Sequence, residues 1–181
     1  GGVRQVVNFT QKELIGVDST TGKLLWRMPA KSQYEENSVT IVPYKDMLII
    51  SREGMGLSAI RVEKEGGQLL PREVWNTKDA QLYLNSPVLQ GNTIFGMSAM
   101  KKGQFFAIDA DTGKTLWQGP GRMGENAAIL NLAGKVFLLL TNEANLIVLP
   151  TDAKEFAPLV QYTVAKSPTW AHPAVIGNRI L

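Results

Sequence analysis

The chain has 181 residues, of which 44% are hydrophobic and 19% are charged, and its net charge is +3. This balance is typical of a globular protein that is long enough to bury a sizeable core. Because the chain has no cysteine, disulfides, thiolate metal sites and a cysteine nucleophile are excluded. The basic residues are scattered and not interleaved with aromatic residues, which argues against nucleic acid as a partner.

The apolar pattern predicts no membrane insertion. The first residues, GGVRQVV, lack the long apolar stretch of a signal peptide. The longest apolar run, VFLLL at 136–140, is far too short to cross a bilayer. From these residues alone we expect either a cytoplasmic protein or one whose leader sequence has been removed.

Short runs of β-branched and apolar residues follow one another along the chain, and Gly, Asn, Asp and Lys separate them. The clearest runs are 39–44, 47–51, 58–63, 93–98, 104–109, 136–141 and 145–150. Helical periodicity is almost absent. This pattern predicts an all-β fold made of many short antiparallel strands.

The strands recur with a regular period. The segment GVDSTTGKLLW at 16–26 returns as AIDADTGKTLW at 107–117, which is 91 residues later. The turn glycines Gly91, Gly134 and Gly177 follow one another at intervals of 43 residues. A period in the low forties with about four strands per unit is typical of β-propeller blades, each of which is a four-stranded antiparallel sheet.

This register predicts a single domain over 1–181, formed by about four blades of a partial propeller. The first predicted blade, 3–30, contains the last three strands of a unit. The other predicted blades are 38–77, 86–119 and 127–165, and 172–181 begins a further one. An open series of blades leaves sheet flanks unpaired, so we expect the remaining blades of a larger propeller, or a second copy of the chain, to cover them.

The repeated segment predicts a hairpin turn followed by an outer strand. Its aspartate can accept hydrogen bonds from turn amides, its glycine supplies a positive φ, and its tryptophan can lie across the turn of the neighbouring blade. These structural residues are Asp18, Gly22, Trp26, Asp109, Gly113 and Trp117, together with Trp75 at the end of the second blade. We interpret them as holding blades together and not as a cofactor site.

The pattern A-x-D-x-x-T-G-K-x-x-W resembles the tryptophan-docking motif of the pyrroloquinoline-quinone-like β-propeller family. Residues 107–117 match it throughout, and residues 16–26 depart only at the first position. The second blade keeps the alanine and Trp75 but has Arg61 in place of the aspartate, and the fourth blade has Tyr162 in place of the tryptophan. The resemblance implies a parent propeller of seven or eight blades.

The same resemblance implies two classes of function. The family includes quinone-dependent dehydrogenases, which hold pyrroloquinoline quinone beside calcium with a catalytic aspartate, often under a vicinal cysteine pair. It also includes cofactor-free scaffolds of outer-membrane barrel assembly. The chain lacks cysteines, and its motif aspartates are predicted in turns. We therefore expect a non-catalytic, cofactor-free module that binds a protein or ligand in the periplasm or outside the cell, with half of a dehydrogenase as the alternative.

The loops that lead into the innermost strand of each blade gather at one mouth of a propeller. We call these segments, 34–39, 82–87, 124–128 and 169–174, the inner-strand loops. Asn37, Asn85, Asn126 and His172 fall at corresponding places in these loops, and the predicted rim also includes the nearby residues Tyr34, Tyr83, Trp170 and Arg122. The asparagines either cap the turns or form a binding rim, and the sequence leaves both interpretations open.

No catalytic or metal-binding constellation is predicted. The chain has one histidine and no converging carboxylates, so a metal site and a nucleophile–base pair both lack candidates. The only basic doublet, Lys101-Lys102, lies in a predicted loop, where such a pair is usually a soluble turn.

Overall fold

The computed structural model describes residues 3–32, 37–177 and 179–181. The strands are β1 (Gln5–Phe9), β2 (Glu13–Asp18), β3 (Leu24–Pro29), β4 (Val42–Tyr44), β5 (Met47–Arg52), β6 (Gly56–Glu65), β7 (Gln68–Thr77), β8 (Val88–Gln90), β9 (Thr93–Ser98), β10 (Gln104–Asp109), β11 (Thr115–Gln118), β12 (Ala127–Leu132), β13 (Val136–Thr141), β14 (Asn145–Pro150), β15 (Val160–Thr163), β16 (Val175–Ile176) and β17 (Arg179–Ile180). A single 3₁₀ turn, Met100–Lys102, is the only helical element in these residues.

Each sheet is an antiparallel meander in which neighbours in the chain are neighbours in the sheet. Strands β1–β3 form a three-stranded sheet, β16 and β17 pair with each other, and three four-stranded sheets contain β4–β7, β8–β11 and β12–β15. These sheets confirm the predicted all-β class and its four-stranded units. No helix of the described part of the chain is long and apolar enough to span a membrane.

The chain forms two compact units. The first contains the described residues up to Tyr83 together with Ala110–Lys114, and the second contains Leu84–Asp109 and Thr115–Leu181. The prediction of one domain over 1–181 stays a prediction.

The core of the first unit lies between the sheets β1–β3 and β4–β7. Leu14, Trp26 and Ala30 from the first sheet and its end pack against Ile50 and Ile60 from the second. All five residues are buried. The alternation of buried and half-buried positions in β2 shows why its sequence forms a strand, since one face of the sheet must leave water.

The core of the second unit is aromatic. Phe95 of β9 stacks on Phe137 of β13 with ring centroids 4.4 Å apart and planes 6° apart. Phe105 of β10 stacks on Phe156, which precedes β15, at 5.4 Å. Strand β10 is buried along five consecutive residues, so both of its faces are covered. These stacks join the sheets β8–β11 and β12–β15.

The hairpin turn of the first repeated segment has the predicted chemistry. The Asp18 carboxylate accepts hydrogen bonds from the backbone N–H groups of Thr20 and Thr21 at 2.8 and 2.9 Å. These bonds, first that from Thr21, hold the pKa of Asp18 below its usual value. Gly22 has a φ of +71° and donates its N–H to the Asp18 carbonyl at 2.9 Å. A side chain at Gly22 would therefore strain the turn.

The tryptophans at the ends of three sheets do not all make the same contact. Trp75 donates its indole N–H to the carbonyl of Ala110 at 3.1 Å, and Trp117 donates to the carbonyl of Ala153 at 2.9 Å. Trp26 instead donates to the Gln5 side chain of its own sheet at 2.6 Å. Trp26 thus differs from the other two tryptophans in its hydrogen-bond partner, although its ring packs with Ile50 and Ile60 of the next sheet.

Candidate functional site

In the first unit, the Asn37 side chain holds two segments of backbone together. Its Nδ2 donates to the carbonyls of Thr10 at 2.9 Å and of Gln11 and Ala30 at 3.2 Å each. Its Oδ1 is buried without a hydrogen-bond partner. The side-chain amide of Asn37 therefore fixes the β1–β2 turn through hydrogen bonds. This is the role that the capping interpretation of the sequence gives to the asparagines.

The two tyrosines of the predicted rim, Tyr34 and Tyr83, belong to the first unit. Tyr34 lies outside the described residues. Tyr83 is half-buried, and its carbonyl accepts a hydrogen bond from the Ser38 hydroxyl at 2.6 Å. This bond ties the segment that precedes β4 to the segment that follows β7.

Asn85, in the second unit, has a buried side chain. It is only 5% accessible, and neither its Oδ1 nor its Nδ2 has a hydrogen-bond partner. An unsatisfied buried amide of this kind costs about 1–3 kcal/mol per group. Pro87 in the same loop is buried as well, whereas Leu84 is 50% exposed.

Asn142 organises the inner-strand loops of the second unit. Its Oδ1 accepts hydrogen bonds from the backbone N–H groups of Glu125 at 2.8 Å and Asn126 at 2.9 Å. Its own N–H donates to the Asn126 carbonyl at 2.9 Å, and its carbonyl accepts from the Thr169 N–H at 3.1 Å. Asn142 is 6% accessible. Through its side chain and its backbone, this one buried residue joins the segment before β12, the β13–β14 turn and the segment after β15.

Sequence reasoning did not find Asn142. Its turn, TNEAN, contains a second asparagine, and nothing in the letters separates the buried one from Asn145. Gly124 permits the close approach of Asn142, since a Cβ at Gly124 would lie 2.6 Å from the Asn142 Oδ1. This close approach is visible only in the structure.

The predicted residues nearest to this buried asparagine differ in exposure. Asn126 is half-buried, and its Oδ1 accepts a hydrogen bond from the Ala127 N–H at 2.8 Å. Trp170 and His172 are exposed, and the preceding Thr169 donates its hydroxyl to the Thr141 carbonyl at 2.8 Å. The structure therefore connects Asn126 to the segment that carries Trp170 and His172, and whether they bind a partner stays a prediction.

Arg122 lies in a second cluster of the same unit. Its backbone N–H donates to the Lys101 carbonyl at 2.9 Å, and both side chains are exposed. Lys101, Lys102, Gly121 and Arg122 line a cleft of about 430 Å³. The β9–β10 turn and the β11–β12 loop thus bring the basic doublet and Arg122 together.

The carboxylates of the second repeated hairpin contact neighbouring side chains. Asp111 pairs with Lys45 at 2.5 Å and accepts a hydrogen bond from the Tyr44 hydroxyl at 3.1 Å. The hydrogen bond from Lys45 is the main reason that the pKa of Asp111 lies below its usual value. Asp109 accepts a hydrogen bond from Asn92 at 3.3 Å. Across 3–32, 37–177 and 179–181, no three His, Cys, Asp or Glu side chains come together as metal ligands.

The sequence matches a family model described as "Outer membrane protein assembly factor BamB" over residues 1–119. No curated protein matches the chain. Among solved structures, BamB from Moraxella catarrhalis is similar with a TM-score of 0.67 and 14% identity, covering 98% of this chain and 50% of that one. The computationally designed Ika8 protein is similar with a TM-score of 0.64 and 12% identity, covering 96% of this chain and 53% of that one.

At these identities the two structures show a shared fold and nothing further, and the chain spans about half the length of each. The family model, by contrast, matches well over half of the sequence. Together with the meandering four-stranded sheets, it confirms the resemblance to pyrroloquinoline-quinone-like propellers that the repeated segment indicated. The chain belongs to the BamB family of β-propeller proteins.

Proposed function

We propose that the chain is a non-catalytic propeller scaffold that acts outside the cytoplasm and binds a protein partner through its inner-strand loops. Family membership carries this proposal, because the family is described as an outer membrane protein assembly factor. The loops support it physically. Backbone segments that are fixed by the side chains of Asn142 and Asn37 present their remaining exposed groups in a preformed arrangement, which lowers the entropic cost of binding.

The proposal includes the expectation that the chain catalyses no reaction. The carboxylates of Asp18 and Asp111 are engaged by turn amides and by Lys45, so neither is a candidate base. Pyrroloquinoline quinone and calcium are expected to give no saturable heat in isothermal titration calorimetry at micromolar concentrations. Saturable binding in that range would contradict the scaffold and favour the dehydrogenase alternative.

The outer flank of the second unit supports packing against further blades or a second copy of the chain. Leu159, Tyr162 and Ile176 are 64%, 54% and 64% exposed, and all four residues of β15 face solvent. Apolar residues on a sheet flank favour association. Sedimentation velocity should show mass increasing with concentration, and Tyr162→Glu should suppress the increase. A strictly monomeric chain at all concentrations would contradict the second-copy form.

Site-specific photo-crosslinking tests the surface that is used. A photoreactive amino acid would replace Ser38, Glu125 or His172, which are exposed in the inner-strand loops. Matched control positions are Thr20, Thr112 and Lys135, which are exposed in turns at the opposite ends of the strands. We expect the first set, and not the second, to form adducts with the same protein. Equal adducts at both sets, or none, would contradict the proposal.

A further inference from the structure

Three cations, Lys101, Lys102 and Arg122, line one cleft of the second unit. Lys101, Lys102 and Arg122 are exposed, and none of them forms an ion pair within the described residues. Lys45 offers a contrast, since it also lies in a turn but pairs with Asp111. Three adjacent positive charges without a partner repel one another, so the arrangement is not stabilised by the charges themselves.

The backbone that carries these charges is held firmly. The Arg122 N–H donates to the Lys101 carbonyl at 2.9 Å, and the Met123 N–H donates to the Gly103 carbonyl at 3.1 Å. A Cβ at Gly121 would lie 2.9 Å from the Lys101 carbonyl oxygen, so this glycine permits the close approach of the two loops. Backbone hydrogen bonds between the two loops therefore hold Arg122 beside the lysine doublet.

The backbone conformation is also unusual for these residue types. Lys101, Lys102 and Arg122 have φ values of +53°, +62° and +65°. Glycine adopts this left-handed region without penalty, whereas residues with a side chain are strained there. Basic side chains thus occupy three positions where glycine would be more stable. Strain of this kind is characteristic of functional sites.

The cleft that these residues line has a volume of about 430 Å³. We propose that it binds an acidic segment of a protein partner, whose carboxylates pair with Lys101, Lys102 and Arg122. This inference rests on the proposed scaffold function and names the chemistry of the partner. Met100, which is 38% exposed beside the cations, supplies an apolar contact of the kind that protein interfaces use.

Two other anions fit the cleft less well. A phosphate group is usually cradled by free backbone N–H groups, but those of Gly103, Arg122 and Met123 already donate to carbonyls. An anionic membrane surface is held stably by a larger cluster of cations or by an added apolar anchor, and three cations give only weak attraction. Carboxylates on a peptide can instead spread over three separate side chains.

Fluorescence anisotropy tests this inference with a labelled eight-residue peptide of alternating Asp and Glu, and with its Asn and Gln counterpart as the neutral probe. The variant replaces all three cations, as Lys101→Gln, Lys102→Gln and Arg122→Gln. Its matched control is Lys23→Gln with Lys64→Gln, because these lysines line another cleft of about 430 Å³. Thermal unfolding verifies that both variants fold.

We expect the unmodified chain to bind the acidic probe and not the neutral one, and to lose affinity as salt rises. The triple variant should weaken binding tenfold or more, and the control pair less than twofold. Equal loss in both variants, binding of the neutral probe, or displacement of the peptide by equimolar inorganic phosphate or phosphatidylglycerol vesicles would overturn the inference. Specific photo-crosslinks without any peptide binding would overturn it while leaving the scaffold function intact.

Discussion

Trp26 and Trp117 end two nearly identical segments, yet their surroundings differ. Trp26 is 4% exposed and hydrogen-bonds to a side chain of its own sheet, Gln5. Trp117 is half-buried, lies 5.6 Å from Phe95 between ring centroids, and donates to the backbone carbonyl of Ala153. The first indole is part of a core, and the second is a bridge to a neighbouring turn.

The residue that lies opposite each tryptophan on the neighbouring strand accounts for this difference. Each tryptophan has a cross-strand partner, which is Gly16 for Trp26 and Ala107 for Trp117. A Cβ at Gly16 would overlap the Trp26 indole, so the missing methyl group lets that ring lie flat on its own strand. Ala107 prevents the same placement. The one departure from the family motif in the first copy is therefore the position that redirects the indole.

Trp75 supports this explanation. Its cross-strand partner is Ala59, and its indole N–H reaches the Ala110 carbonyl just as that of Trp117 reaches Ala153. The segment around Trp75 matches the family motif poorly, with Arg61 in place of the aspartate. The cross-strand alanine thus predicts the bridging contact better than the turn residues do.

Removing the two indoles should give the largest effects and separate core from bridge. Trp26→Ala is expected to destabilise the chain by about 3–5 kcal/mol, because a buried indole leaves a cavity. Trp117→Ala should cost about 2–3 kcal/mol, because part of its surface is already in water. Urea denaturation followed by far-ultraviolet circular dichroism measures both. Equal costs would contradict the distinction.

Adding the missing methyl group tests the cause of the difference. Gly16→Ala should destabilise by about 1–3 kcal/mol, because the indole of Trp26 must move. The movement should appear as a change in tryptophan fluorescence and near-ultraviolet circular dichroism. The reciprocal variant Ala107→Gly should cost at least about 0.5–1 kcal/mol, from backbone entropy and from the loss of a buried methyl group. Because it removes the methyl group that keeps Trp117 off its own strand, it should also change the spectra. Unchanged spectra in Gly16→Ala would refute the steric explanation.

The hydrogen bond of Trp26 provides a smaller and sharper test. Gln5→Leu removes the acceptor of the indole N–H and should cost about 1 kcal/mol. In the Gly16→Ala background the same substitution should cost close to nothing, since the displaced indole no longer reaches Gln5. A double-mutant cycle measures this coupling. Full additivity of the two substitutions would mean that the indole had not moved.

The smallest expected effects distinguish the two aspartate turns. The pKa values of Asp18 and Asp111 both lie below the usual 3.8, so each carboxylate contributes stability above that value that is lost as the pH falls through the lower folded pKa. Asp18 is held by backbone N–H groups, whereas Asp111 is held first by Lys45. High salt should therefore weaken the acid sensitivity due to Asp111 and spare that due to Asp18.

The corresponding measurements are acid denaturation curves of Asp18→Asn and Asp111→Asn at low and high salt. Each substitution should flatten the fall in stability below pH 3.8. Only the difference between unmodified chain and Asp111→Asn should shrink at high salt. The same salt response for both turns would show that the Lys45 contact does not govern Asp111.

The sequence by itself determined the period, the class and the family of this protein. Alternating short apolar runs require antiparallel strands because each sheet buries a face, and the 43-residue spacing of Gly91, Gly134 and Gly177 marks turns that need a positive φ. These requirements are local, so short stretches of the sequence are enough to predict them. The repeated segment added the resemblance that the family match confirms.

The contacts that build the candidate sites were decided only by tertiary structure. The sequence contained Gly16, Asn142 and Arg122, but their roles depend on which surface each one meets. Gly16 contacts the indole of Trp26 on the neighbouring strand, and Asn142 joins three segments of backbone by hydrogen bonds. Arg122 hydrogen-bonds to the lysine doublet, which lies about twenty residues away in the sequence. These contacts form only when strands pair and loops close, and the hydrophobic periodicity of a sequence does not predict them.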